Sequence, residues 1–275
     1  MELLIGQKKV YGYTGGKSFD KDLPCLIFLH GAQNDHSVWA MQSRYFANHG
    51  YAVLALDLPG HGRSDGPALR SIEAMAAWLK QVINNLENRE VIIIGHSMGS
   101  LIALEAAANW SATEIQLRGL ALLGCAFPMR VSPELLEASL HQPLQAIEMV
   151  AQWSHALHCH QPAAPGPGFS VLNMSRRLMQ NILKAQPEPV FHIDFNACND
   201  YQNGQLAAQA IQIPTLFLNA RQDMMTPAKA SLSFSKHFSQ AQTVQLERAG
   251  HAMMNEQARI VVSHLGDFFN TSLKP

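Results

Sequence analysis

Gly95-His96-Ser97-Met98-Gly99 is the stretch whose residue types and spacing could carry a reaction. A serine hydroxyl is a nucleophile at neutral pH only when a base takes its proton. That base, an imidazole, works best when a carboxylate fixes its tautomer and stabilises its cation. The G-x-S-x-G spacing suits a serine at the tip of a strained strand-to-helix turn, a nucleophile elbow. Its neighbours must be small so that strand and helix can approach closely, and Gly95 and Gly99 meet that demand. The flanks agree. Val91-Ile92-Ile93-Ile94 reads as a strand buried on both faces, and Leu101 to Ala108 as a helix rich in small residues. A dinucleotide-binding turn would need G-x-G-x-x-G, and Ser97 stands where its second glycine belongs.

The acid and the base must come from elsewhere, on loops at the carboxyl ends of later strands. Asp223 lies in such a loop, directly after a strand at Thr215 to Leu218. His251 follows Gly250, after a strand at Thr243 to Glu247. Either alone reads as a turn residue. Together with Ser97, in the order Ser, Asp, His, they predict a triad. His96 should point away from the site and be structural, while His30 and His61 should brace their glycine-bounded loops. The oxyanion of a tetrahedral intermediate needs two amide donors. Met98 supplies one at the positive end of its helix, and Ala32, after His30-Gly31, is the candidate for the other.

These residues need a scaffold, and the chain alternates β and α. Val10 to Gly16 reads as an edge hairpin and Cys25 to Leu29 as a buried strand. Asn34 or Asp35 should cap a helix with Val38, Met41 and Tyr45 on one face. Next come a strand at Tyr51 to Leu56, a turn-rich loop from Asp57 to Asp65, and a helix carrying Ile72, Met75, Ala76, Leu79, Ile83 and Leu86. After the strand Leu120 to Leu123 the alternation stops, and 132–212 reads as helical, with helices at Pro133 to Leu140, Leu144 to Leu157 and Val171 to Ala185. Gln161 to Gly168 reads as an irregular loop. The alternation resumes at Ile213, and a last helix should bury Ile260, Val261, His264, Leu265 and Phe268. The expected class is α/β: a mostly parallel sheet with helices on both faces. The core would be residues 1–131 and 213–275, with 132–212 a helical lid insertion.

The bulk properties fit. The chain has 275 residues, 47% hydrophobic and 15% charged, which suits one large globular domain with an insertion. A net charge of −1 and the lack of a basic run argue against a nucleic-acid partner. No apolar run has the length of a membrane span, and Met1 to Tyr13 lacks a signal-peptide core, so a cytoplasmic location is expected. Cys25, Cys125, Cys159 and Cys198 show no paired spacing; Cys25 and Cys125 should be reduced core residues.

The motif set resembles a lidded α/β-hydrolase. It comprises His30-Gly31-Ala32, Asp57-Leu58-Pro59-Gly60-His61-Gly62-Arg63-Ser64, Gly95 to Gly99, Asp223 with Thr226-Pro227, and Gly250-His251. The resemblance implies an eight-stranded sheet, a lid inserted after the sixth strand, and a triad of Ser97, Asp223 and His251. Serine at position 97 tells against the haloalkane dehalogenases and epoxide hydrolases of this fold, which use aspartate there. Carbon–carbon bond hydrolases usually carry a glycine-proline-glycine loop after His-Gly and a tryptophan after the late Gly-His. Here Gln33-Asn34-Asp35 and Ala252 stand there. Enol-lactone hydrolases and small-ester carboxylesterases are at least as similar.

The expected activity is therefore serine hydrolysis of a small to medium carboxylic ester, thioester or lactone, with no cofactor. Carbon–carbon bond hydrolysis, perhydrolase chemistry and a ligand-sensing role that retains the triad remain alternatives, and the oligomeric state is open. Phe127, Met129, Trp153, Phe169 and Met174 could line an apolar pocket, with Met98, Met224 and Met253 beneath. Arg130 and Arg176-Arg177 could meet a substrate carboxylate or simply face solvent. His155-x-x-His158-Cys159-His160 has metal-ligand residue types, but no second pair follows at finger-like spacing, so no metal is expected.

Overall fold

The computed structural model describes residues 1–110, 115–160 and 170–273. The loop expected at Gln161 to Gly168, and Phe169 with it, lie outside the described residues. Eight strands form one sheet: β1 Glu2–Ile5, β2 Lys8–Tyr13, β3 Cys25–Leu29, β4 Ala52–Leu56, β5 Glu90–His96, β6 Gln116–Leu123, β7 Thr215–Ala220 and β8 Ala241–Leu246. Their spatial order is β1-β2-β4-β3-β5-β6-β7-β8; β1 and β2 pair antiparallel and every pair from β4 to β8 is parallel. The first hairpin turns at Gly6-Gln7, where Gly6 takes a positive φ of +62°, rather than at Gly15-Gly16, which follow the end of β2.

Between β3 and β4 lies α1 (Ala40–Ala47), then α2 (Ile72–Asn84) before β5, and α3 (Met98–Ala108) before β6. From β6 to β7 the chain is helical: α4 Pro133–His141, α5 Pro143–Ser154, a short 3-10 turn at Leu157–His160, α6 Val171–Ala185, α7 Val190–Asp200 and α8 Gly204–Ala210. After β7 come α9 (Ala228–Ser235), α10 (Met253–Glu256) and α11 (Ala258–Ser272).

The period-two geometry of the strands sends alternate side chains to two cores. Ile27, Leu54, Ile93, Leu122 and Phe217 meet α2, α3, α8 and α9 on one face. Leu26, Phe28, Ile94, Leu123 and Leu218 meet α1 and α11 on the other. Helices α4 to α7 share a third, smaller core around Leu135, Ile147, Met179, Phe191 and Phe195, against which Ala32 and Met225 pack. The end of α7 and α8 instead join the sheet core through Cys198, Tyr201, Ala207 and Ala208.

Two amphipathic faces differ from expectation. Met41 is 58% exposed and Tyr45 is also exposed, while Gln42, Ser43 and Phe46 are buried. A 3-10 turn at His36–Trp39 rotates the register, and Gln42 Nε2 donates to the Met254 carbonyl at 2.8 Å, which makes burial of the amide tolerable. In α11, Val261, Leu265, Phe268 and Phe269 face the core, and Ile260 faces outward. No helix among the described residues is long and apolar enough to cross a membrane.

Candidate active site

The sheet brings the predicted triad to one edge, where β5, β6, β7 and β8 end. Ser97 follows β5 and has φ 53° and ψ −121°, a conformation that costs an L-residue energy and is held by its surroundings. Its amide donates to the Leu123 carbonyl at 2.9 Å, tying the turn to β6. A Cβ at Gly95 would collide with the Gly99 carbonyl, and one at Gly99 with the carbonyl oxygens of Leu29 and His30. The small residues are thus demanded by contact between strand and helix. Met98 opens α3, so its N–H has no intrahelical acceptor.

Asp223 and His251 meet in a buried pair. His251 Nδ1 donates to Asp223 Oδ2 at 2.7 Å. The same carboxylate accepts from the Thr226 hydroxyl at 2.7 Å, the Thr226 amide at 2.7 Å and the Met225 amide at 2.8 Å. Burial alone would push the Asp223 carboxyl up, but the His251 ring and the Thr226 donors outweigh it and hold it below the usual carboxylate range. With Nδ1 engaged, His251 keeps the lone pair of Nε2 for a proton. Ser97 and His251 line one cavity of about 50 Å³, together with Gly31, Ala32, Val150, Met179, Phe195 and Met225 among others.

The histidines around Ser97, Asp223 and His251 act as braces. His96 Nε2 donates to the His251 carbonyl at 2.9 Å, and burial lowers the His96 ring to about 3, so it stays neutral. His30 Nε2 accepts from the Leu58 amide at 3.1 Å, which leaves Nδ1 to donate to the Gly31 carbonyl at 2.9 Å. Burial lowers His30 to about 3 as well. The candidate oxyanion loop is held from both ends: Asn34 Nδ2 donates to the Ala32 carbonyl at 2.9 Å, and the Gln33 amide donates to Asp194 Oδ2 at 2.8 Å.

Asp194 is a residue that sequence reasoning missed. It lies on α7 and is fully buried, and His61 Nε2 donates to its Oδ2 at 2.9 Å while His61 Nδ1 faces the Pro59 carbonyl at 3.1 Å. Both partners of the His61 ring are acceptors, which calls for an imidazolium. Burial disfavours that charge, but the Asp194 carboxylate outweighs it and raises the ring above its ordinary value. Gln33 also donates through Nε2 to the Met179 carbonyl on α6 at 3.0 Å. The loop after β3 is therefore anchored to two of the helices between β6 and β7. No local signal marks this, since Asp194 is 161 residues from Gln33.

The pocket residues divide. Met129, Trp153 and Met224 line a second cavity of about 160 Å³, which shares Ala32, Ser97, Phe195 and Met225 with the first. Phe127 does not reach either cavity; its ring packs against Tyr201 and Phe234, with centroids 5.8 and 5.5 Å away, in the sheet core. Met174 is 55% exposed and lines a separate groove beside α1. Met253 is buried in the core under α11, and its neighbour Met254 lines the site instead. Met98 is likewise a core side chain, so only its amide is available to the site. Arg130 edges the second cavity, whereas Arg176 pairs with Glu148 at 2.6 Å.

The comparisons with known proteins follow this geometry. A Bacillus subtilis protein named AB hydrolase superfamily protein YisY is 26% identical over 251 residues, covering 90% of this chain and 91% of its own length. The enol-lactonase from Burkholderia xenovorans LB400 superposes with a TM-score of 0.82 at 20% identity, covering 98% of this chain and all of that one (100%). An esterase from Exiguobacterium antarcticum gives 0.78 at 18% identity, covering 95% of each chain. At such identities the likeness to the solved structures is one of fold. Residues 24–257 match the family described as alpha/beta hydrolase fold, and the chain belongs to that family.

Proposed function

We propose that this chain is a serine hydrolase of small to medium carboxylic esters, thioesters or lactones. The observation that carries the reading is the buried Asp223–His251 contact of 2.7 Å beside a strained Ser97 at a shared cavity. In this reading Ser97 Oγ attacks the substrate carbonyl and His251 Nε2 takes its proton. Asp223 keeps the ring in the required tautomer and offsets its charge. The amides of Met98 and Ala32 stabilise the oxyanion. His251 then returns the proton to the leaving oxygen or sulfur, and water, activated by the same nitrogen, releases the acyl group.

Two cavities that meet at Ser97 offer separate places for the acyl and leaving groups. The smaller volume of about 50 Å³ favours a short acyl chain. The larger one, about 160 Å³ and lined by Met129, Leu135, Trp153 and Met224, accepts a larger apolar leaving group. Helices α4 to α7, with their own small core, act as the lid. The two solved structures named above are an enol-lactonase and an esterase, which supports the choice of ester and lactone chemistry.

The test is a panel of aryl esters of graded acyl length, with lactones, assayed on the wild type and on Ser97→Ala. Turnover should peak at short acyl chains and fall to background in Ser97→Ala, with its fold intact by circular dichroism. Undiminished turnover in Ser97→Ala would overturn the reading.

A further inference from the structure

The run His155-x-x-His158-Cys159-His160 lacks a second ligand pair in the sequence, but the fold supplies a partner from far away. Glu256, 97 residues beyond Cys159, lies against it: Cys159 Sγ donates to Glu256 Oε2 at 3.5 Å. The ligand atoms of His158, Cys159 and Glu256 all lie within 4.8 Å of one another. We propose that these three side chains form a zinc site that staples the 3-10 turn after α5 to α10.

The residue types suit the ion. A thiolate, an imidazole and a carboxylate are zinc ligands, and the thiolate disfavours magnesium and calcium. Tetrahedral bond lengths of about 2.0–2.3 Å put neighbouring ligand atoms about 3.3–3.7 Å apart, a spacing the Cys159–Glu256 pair already has at 3.5 Å, so any contraction falls on His158. His158 is exposed and free to turn, which makes that contraction easy. One thiolate and one carboxylate offset the 2+ charge, and water completes the fourth position. Binding exchanges the Cys159 S–H proton, released to solvent, for a sulfur–zinc bond; nothing is oxidised or reduced.

The backbone around the site is already fixed. Glu256 Oε2 accepts from the Ala156 amide at 3.0 Å and Oε1 from the Gly250 amide at 3.1 Å. The Leu157 amide donates to Gln222 Oε1 at 3.0 Å. Such outer contacts orient a ligating carboxylate. His155, the first residue of the run, is not part of the set: it is buried, with Nδ1 facing the Ala151 carbonyl at 2.8 Å and Nε2 the Ser175 hydroxyl at 3.1 Å. A second cluster, Asp35, His36 and Asp57, is already paired internally, with His36 Nδ1 2.8 Å from Asp57 Oδ1.

The test uses the full chain, treated with a chelator and kept reduced, titrated with Co²⁺ as a spectroscopic probe and then with Zn²⁺. One equivalent of Co²⁺ should produce a thiolate-to-metal charge-transfer band in the near ultraviolet, which Zn²⁺ then removes. Cys25, Cys125 and Cys198 are buried, so the band reports Cys159. Cys159→Ser should abolish it, and His158→Ala should weaken binding at least about tenfold, a loss seen even for outer-shell partners of a metal. Zn²⁺ should raise the thermal midpoint of the wild type and not of Cys159→Ser. No band, a band that survives Cys159→Ser, or binding unchanged by His158→Ala would each overturn the proposal.

Discussion

His61 Nε2 donates to Asp194 Oδ2 at 2.9 Å, joining the loop after β4 to α7, and the same oxygen accepts the Gln33 amide. One buried carboxylate thus holds both the His61 ring and the loop that carries the Ala32 amide. Asp194→Ala would leave the ring without its counter-charge and should cost about 3–5 kcal/mol in urea unfolding. The sign with pH follows from the raised His61 value. The pair's contribution is fully present below the ordinary imidazole value of 6.5 and is lost as pH rises through the folded value. The stability gap between wild type and Asp194→Ala should therefore be widest near pH 6 and narrow in alkaline buffer. A gap that widens with pH would contradict this account.

Asp223 carries the opposite sign. Its depressed carboxyl stabilises the fold above the ordinary value of 3.8, and that share is lost as pH falls through the folded value. Asp223→Asn keeps the shape but presents the wrong partner to His251 Nδ1, and should lower kcat by about 10⁴-fold, the scale measured for this change in a serine protease triad. Steady-state kinetics on a reactive aryl ester checks it.

Gly124, at the end of β6, has φ +56°, and a Cβ there would lie 3.0 Å from both Cε1 and Nδ1 of His251. Gly124→Ala should destabilise by more than about 1 kcal/mol, since alanine resists that backbone conformation. It should also displace the His251 ring, and a misplacement near an ångström costs about 10²-fold in turnover. The expected pattern is a fall in kcat with KM little changed.

The strand, turn and helix around Ser97 were legible because their demands are local: a serine at a turn, small residues beside it, a strand before and a helix after all fall within Val91 to Ala108. The placement of Asp223 and His251 was legible through chain order, each past the end of a strand. Side-chain direction was not. Whether Met253 or Met254 meets the cavity depends on the turn at Ala252, and Phe127 is drawn into the sheet core by Tyr201 and Phe234. Nor could pairings across the fold be read, because Asp194 with Gln33 and Glu256 with Cys159 are brought together only by packing of the segment between β6 and β7 on the rest of the fold.

The central claim is that Ser97 is an activated nucleophile. A fluorophosphonate probe with intact-mass readout, applied to wild type and Ser97→Ala, tests it most directly. The account predicts a single adduct on the wild type that disappears in Ser97→Ala. A folded wild type that takes no adduct, or an adduct that persists in Ser97→Ala, would contradict it.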